Sequence, residues 1–208
     1  MDVFPLVAAE RRRLADSLDG LPAEAWESPS LCAGWTVHVV AAHLNAPWEA
    51  SIPTVVLEIA RARSLSGGFD RLARRVADRL PPAACVAGLR DNAESRFTPP
   101  GFGPEAPLTD LIVHGADMLQ PSDRSVAVDP VALAIALEFL SKGSAKGFVP
   151  KGRIDGLAFE ASDLEFRGGT GPDVVRGPGL ALCAAICGRR ALLDQLSGEG
   201  LATLSSRL

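Results

Sequence analysis

Asp110 and His114 stand four residues apart in the stretch PLTDLIVHGADMLQP, residues 107–121. On a helix that spacing places the two side chains one above the other on the same face. Asp117, seven residues on from Asp110, falls close to the same line, and the apolar run Leu111, Ile112, Val113 fills other positions. A second stretch, LCAGWTVHVVAAHL at residues 31–44, predicts a helix entered through Gly34 and Trp35. Thr36 suits its N-cap, and Trp35 and Val40 have the spacing of a hydrophobic staple. His43 falls two turns into that helix. The chain has three histidines, and two of them, His43 and His114, occur in these stretches. Two imidazoles and one carboxylate can occupy three positions on a metal and leave others open. Spacing alone leaves a hydrogen-bonded core histidine as the competing account of His43.

A length of 208 residues suits one large domain or two small ones. Net charge is -4 and the sequence pI about 5.4, so electrostatics gives no case for nucleic acid. Arg11, Arg12 and Arg13 fan over a wide arc of a helix and are expected on a solvated face. No run of some 18 apolar residues is present for a membrane span, and Asp2 and Glu10 speak against a signal peptide. A cytoplasmic protein with reduced thiols is expected. Cys183 and Cys187 share a helix face far in sequence from any histidine, so core packing is expected for them; Cys32 is the cysteine close to a motif. The 18 arginines against three lysines suggest a GC-rich genome.

Helices are expected over residues 3–18, from Thr36 towards Arg63 with interruptions at Pro47 and Pro53, over 69–80, 83–97 and from Asp110 onward. Pro47 removes the bond to the carbonyl of His43, which predicts a kink one turn past that residue. Ser64–Gly68 is expected as a turn and Thr98–Pro107 as a loop. Asp129 and Pro130 have the pattern of an N-cap and first helical residue, with the helix ending near Gly143 and residues 141–152 as a linker. After residue 150, Leu157 and Phe159, then Leu164 and Phe166, alternate as in short strands, Gly168–Pro172 suits a turn, and Asp173–Arg176 a third strand. Helices at 178–187 and 191–196 close the chain. The expected division is a helical bundle over 1–147 and a small α+β domain over 148–208.

GWTVHVVAAHL resembles the GWTVRDVVAHL motif of the mycothiol-dependent maleylpyruvate isomerase family, a branch of the DinB-like metal-binding four-helix bundles. Residues 110–121 resemble that family's second motif, a carboxylate followed by VHG, Asp and Pro. LAFEASDLEFRGGTGPDVVRGP and GRRALLDQLSG, within residues 157–198, are similar to its C-terminal segment. The resemblance implies a mainly α fold, an up-down four-helix bundle followed by a small α+β domain. It implies a divalent metal, zinc as a rule, on His43, Asp110 and His114, and mycothiol bound at the metal as its thiolate. It further implies that this sulfur adds to the double bond of the substrate and leaves after rotation, or stays attached as in an S-transferase. The substrate expected is a small electrophilic or anionic molecule. Arg189 is the best match to an arginine that meets the anionic substrate, with Arg190 next; either can instead cap the preceding helix. An actinobacterial source fits mycothiol.

Departures from the pattern qualify what carries over. Asp110 stands where the isomerase has Glu, one methylene longer. Val39 stands where the family has Asp, which removes the acidic partner of a capping box. His38 stands where Arg is usual, and at five residues from His43 it points about 140° away, so it is not counted as a ligand. Asp117 fits better as an acceptor from a ligand imidazole than as a fourth ligand. Two His and one carboxylate also suit a non-haem iron or a hydrolytic enzyme, and a bundle that keeps its site without the chemistry is a further alternative.

Overall fold

Val7, Leu14 and Leu18 lie on or near one face of α1 (Phe4–Asp19), and all three are fully buried in this computed structural model. The structure describes every residue except 123, 125, 143, 144 and 146. Among the described residues the chain is mainly helical, with a three-stranded sheet in its C-terminal part, which is the expected fold class. Packing groups Met1–Phe97 with Asp117–Val126 in one compact unit, and Thr98–Ala116 with Ala127–Leu208 in another.

In the first unit, α2 (Ala23–Trp26) is a short turn the sequence did not announce. It precedes α3 (Val37–Glu49), α4 (Ile52–Ala62), α5 (Leu65–Ala77) and α6 (Pro82–Asp91). α3 packs on α5 and α6, α1 on α6, and α4 on α5. Thr36 is the N-cap of α3, its hydroxyl accepting from Val39 N–H at 3.3 Å. Pro47 lies inside α3, and the break falls at Ala50 and Ser51, so that Pro53 enters the first turn of α4 where no N–H is required. The expected turn at 64–68 is instead the start of α5. Ser64 caps it by accepting from Gly67 N–H at 3.1 Å, and the chain reverses at Arg63, which holds a left-handed φ of 55°. Gly68 is needed as glycine because a Cβ there would meet Ile59 Cα of α4 at 2.7 Å.

Two charged groups of this unit depart from the surface position that composition suggests. Arg11 is buried at 3% exposure rather than solvated, while Arg12 is exposed and pairs with Glu94. The Arg11 guanidinium donates to the carbonyls of Asn92, Ala93 and Ser95 at 3.1, 2.9 and 2.7 Å and lies 5.2 Å from the Trp48 ring centroid. Burial lowers its pKa to about 10, and at neutral pH it keeps its charge. Those carbonyls also explain why α6 stops at Asp91 instead of running to Phe97: the segment after it turns its acceptors towards α1. Glu58 is 2% exposed on α4, a helix that turns Ile52, Val56 and Leu57 outward. Its carboxylate accepts from Arg61 and Arg75 at 3.1 and 3.4 Å and from Arg71 at 2.8 Å. The hydrogen bond from Arg71, with the charges of Arg71 and Arg61, holds its pKa below the ordinary carboxylate value.

α7 (Glu105–Leu119) spans the Asp110 motif and starts two residues before Pro107, which fits a first turn because it has no N–H to leave unpaired. Its residues up to Ala116 belong to the second unit. α8 (Pro130–Ser141) has Asp129 as N-cap, accepting from Val131 and Ala132 N–H at 2.8 and 3.1 Å. The expected helix end at Gly143 and part of the expected linker lie outside the described residues. β1 (Leu157–Ala161), β2 (Arg167–Gly169) and β3 (Asp173–Gly177) form a sheet of order β2-β1-β3. In it β1 runs antiparallel to β2 and parallel to β3. The second strand comes after Leu164 and Phe166 rather than on them, and it takes in part of the expected glycine turn. α9 (Gly179–Ile186) is buried along its length, as a run of small and aliphatic residues requires. Residues 191–196 make only a 3-10 turn, Leu193–Gln195, and α10 (Leu201–Ser206) was not anticipated.

The Glu58 cluster makes a pH-linked prediction. A carboxylate whose pKa is depressed on folding stabilises the fold above its unfolded value, 4.5, and that contribution is lost as pH falls through the lower folded value. Glu58→Gln should therefore melt several degrees below wild type at pH 7. The gap should close as pH is lowered past 4.5 into the range where wild-type Glu58 protonates. Parallel thermal melts across that range check it, and a gap that does not change with pH would be inconsistent with an ionised Glu58.

Candidate functional site

The segment from Pro29 to Thr36 is irregular yet closely tied. Ser30 N–H and hydroxyl both donate to the Trp35 carbonyl at 2.9 Å, and the same hydroxyl accepts from Cys32 N–H at 3.1 Å. Trp35 N–H closes a turn on the Cys32 carbonyl at 3.0 Å, with Gly34 at φ 79° in the third position, where a side chain would be strained. Leu31 N–H donates to the Asp117 carbonyl at 3.0 Å, so this segment is anchored on the C-terminal end of α7.

Trp35 emerges from that turn with its ring centroid 5.2 Å from that of His43, tilted by 51°. Phe69 of α5 approaches His43 from another side, edge-on at 6.5 Å. The indole is held by its Nε1–H, which donates to Asp70 Oδ1 at 2.7 Å. Arg74 Nε donates to the same carboxylate at 3.0 Å, and its Nη2 donates to the Gly34 carbonyl at 2.8 Å. Phe69, Asp70 and Arg74 were not read as site residues from the sequence. The available signals were the need of a part-buried indole N–H for an acceptor and the four-residue spacing of Asp70 and Arg74.

On α7, Asp110 Oδ1 lies 3.4 Å from His114 Nε2, as the four-residue spacing requires. His114 is 8% exposed, Asp110 is half-buried, and Asp117 is 1% exposed. His43 on α3 offers an imidazole, and Asp110 and His114 on α7 offer a carboxylate and a second imidazole. These are donor types of divalent-metal sites, and two imidazoles with one carboxylate leave coordination positions for other ligands. His38 is occupied elsewhere, with Nε2 2.7 Å from the Leu80 carbonyl. Arg189 Nη1 donates to the Cys187 carbonyl at 2.9 Å, at the C-terminal end of α9. Arg190 donates to the carbonyls of Ser205 and Leu208, which ties it to α10.

Residues 7–108 match the family described as the mycothiol maleylpyruvate isomerase N-terminal domain. Two crystal structures are similar to the chain over 94% of its length and 90% of theirs. A histidine-to-alanine mutant of the mycothiol-dependent maleylpyruvate isomerase has TM-score 0.55 and 16% identity, and the isomerase itself has TM-score 0.55 and 15% identity. At that identity the likeness shows the fold. No protein of curated function matches.

Trp35→Phe keeps an aromatic ring beside His43 and removes the donor to Asp70. A hydrogen bond to a charged group is worth about 1.5–3 kcal/mol, reduced here because Asp70 is well exposed, so a loss of about 1 kcal/mol is expected. Asp70→Asn, which retains an acceptor oxygen, should lose less. Urea unfolding of the two variants ranks them, and the reverse order would show that the Arg74 pair rather than the indole bond fixes the turn.

Proposed function

Through residues 7–108 the chain belongs to the mycothiol-dependent maleylpyruvate isomerase family, and on that premise we propose a metal-dependent enzyme that uses mycothiol as its nucleophile in an isomerase or S-transferase reaction. The observation that carries this reading is the pair Asp110 and His114, 3.4 Å apart on one face of α7, read together with His43 from the other motif of the family resemblance. These residues would hold one divalent ion, zinc in the first instance. A bound ion and thiol together supply a sulfur nucleophile at neutral pH, since coordination deprotonates a thiol whose free pKa is near ~8.5.

The chain's own residues have separable tasks in this reading. Asp110 contributes negative charge to the donor set, beside the His114 imidazole with Oδ1 3.4 Å from Nε2. Trp35 and Phe69 place apolar surface against His43, which limits water there and holds the imidazole in one rotamer. Arg189 is the proposed partner of an anionic substrate, because a guanidinium pairs with a carboxylate through two parallel hydrogen bonds. Arg190 is less suited, given its two carbonyl acceptors near the chain end. The substrate class is a small electrophilic or anionic molecule. The proposed working division is a metal-binding bundle over residues 1–147 and a small domain over 148–208 that carries Arg189. A cytoplasmic location is proposed with it. Among the described residues no helix is long and apolar enough to cross a membrane.

Two measurements test the reading. Metal content after dialysis should approach one divalent ion per chain in wild type and in His38→Ala, and fall severalfold in His43→Ala; equal retention in all three would remove His43 from the site. In a Cys32→Ala background, the cobalt form should gain an intense near-ultraviolet sulfur-to-metal band on addition of mycothiol, and the band should be missing when His43 is also replaced. Mycothiol binding without that band would make metal-bound water the better nucleophile and the protein a hydrolase.

A further inference from the structure

α4 is an amphipathic helix turned outward. Of its 11 residues Glu58 alone is buried, while Ile52, Pro53, Val56, Leu57, Ala60 and Arg61 are exposed. Ile52 is 80% exposed, Val56 59% and Leu57 45%. At about 100° per residue, the five apolar members of that set fall within an arc of about 140°, as wide as the stripe a surface helix ordinarily turns towards a core. No charged side chain of α4 interrupts the arc, and Arg61 stands at its border.

The opposite side of α4 is already in use. A Cβ at Gly68 of α5 would meet Ile59 Cα at 2.7 Å, and Glu58 accepts from Arg61, Arg71 and Arg75. Rolling the helix to bury its aliphatic side chains would release a carboxylate held by three guanidiniums and part the close contact at Gly68. The apolar arc is therefore left for a partner from outside the chain.

We propose that this arc is the contact surface for a second copy of the chain, α4 against α4, in a twofold-symmetric dimer. Ile52, Val56 and Ala60 form one ridge of four-residue spacing, and Pro53 and Leu57 form the next. The groove between them accepts the same ridge of a second helix, the commonest way in which two helices pack. An antiparallel pair centred on Val56 sets Ile52 of each copy against Ala60 of the other, a large side chain over a small one. Such a contact is self-complementary, as a twofold axis requires. The five side chains offer on the order of 450 Å² of apolar surface per copy, within the range of patches that carry function. Leu65, 64% exposed just beyond α4, and Arg61 lie at the border. With them two copies bury roughly 1,000 Å², the lower bound of a specific interface.

The chemistry favours a protein partner over a lipid surface. A helix that lies on an anionic membrane offers Lys and Arg to the headgroups and aromatic rings to the interface. α4 has no lysine and no aromatic residue, and the chain carries a net charge of -4. Arg61, Arg71 and Arg75 converge on Glu58 at 3.1, 2.8 and 3.4 Å.

The test is sedimentation velocity of the full chain from about 1 to 500 μM, the range in which an interface of this size associates. The mass should rise from 21.8 kDa towards twice that value across the series. Val56→Asp should keep the single-chain mass at the highest concentration. Its melting temperature in dilute solution should match that of wild type, because Val56 is outside the core. Ile52→Asp, at the end of the same ridge, should weaken association about tenfold or more. Val131→Asp, on α8 and 49% exposed, changes an apolar side chain of the same size elsewhere and should dimerise like wild type. A wild type that stays monomeric throughout, or a dimer that Val56→Asp leaves intact, overturns the proposal. So does a monomer that floats with vesicles of phosphatidylglycerol and phosphatidylcholine, which would assign the arc to a lipid surface. None of these results bears on the metal reading, whose readouts are metal content and the cobalt band.

Discussion

α7 is buried almost all the way round, and the rest of the site depends on that fact. Leu108, Leu111, Ile112, Val113, Ala116, Met118 and Leu119 are all at 4% exposure or less, and Thr109 is fully enclosed. A helix in that position has little solvent-facing surface, at Glu105, Pro107 and Asp110, yet it bears Asp110, His114 and Asp117 along one stripe. Buried ionisable groups persist when they are paired, hydrogen-bonded or bound to a metal. Asp110 and His114 meet part of that requirement in each other, 3.4 Å apart. The aliphatic surroundings strengthen whatever electrostatic interaction the stripe makes, because little water is available to screen it.

Local chemistry made much of this visible in the sequence. Thr36 and Asp129 are caps in the structure because a short side-chain oxygen before an apolar helix is a local signal that needs no distant partner. The pairing of Asp110 with His114 likewise follows from helix geometry alone. The errors share a different cause. Ser64–Gly68 carries the composition of a turn, but close packing of α4 on α5 at Ile59 and Gly68 makes helix the better use of those residues. Leu164 and Phe166 alternate like a strand, whereas the paired register with β1 begins at Arg167, opposite Glu160, and Phe166 only accepts from Ala161 N–H at its edge. Each miss is a place where a tertiary contact decided between two acceptable local structures.

Charge placement was the least legible property. Arg11 and Arg12 are adjacent and chemically identical, yet one is buried on three carbonyls and the other is exposed. Glu58 is buried on a helix that turns Ile52, Val56 and Leu57 outward, a local reversal of the amphipathic rule. Periodicity reports which face of a helix is apolar, and it does not report which polar side chain finds a buried partner.

Arg11 also bears on the order in which the chain assembles. Its three acceptors are 81 to 84 residues away, in the segment just beyond α6, and they are in place only once that segment has turned back towards α1. Desolvating the guanidinium before then would leave a buried cation without acceptors, a state several kcal/mol above the native one by the general cost of an unpaired buried charge. Docking of α1 and closure of the α6 end are therefore one concerted event, spanning nearly half the chain and paid for in loop entropy before any contact is gained.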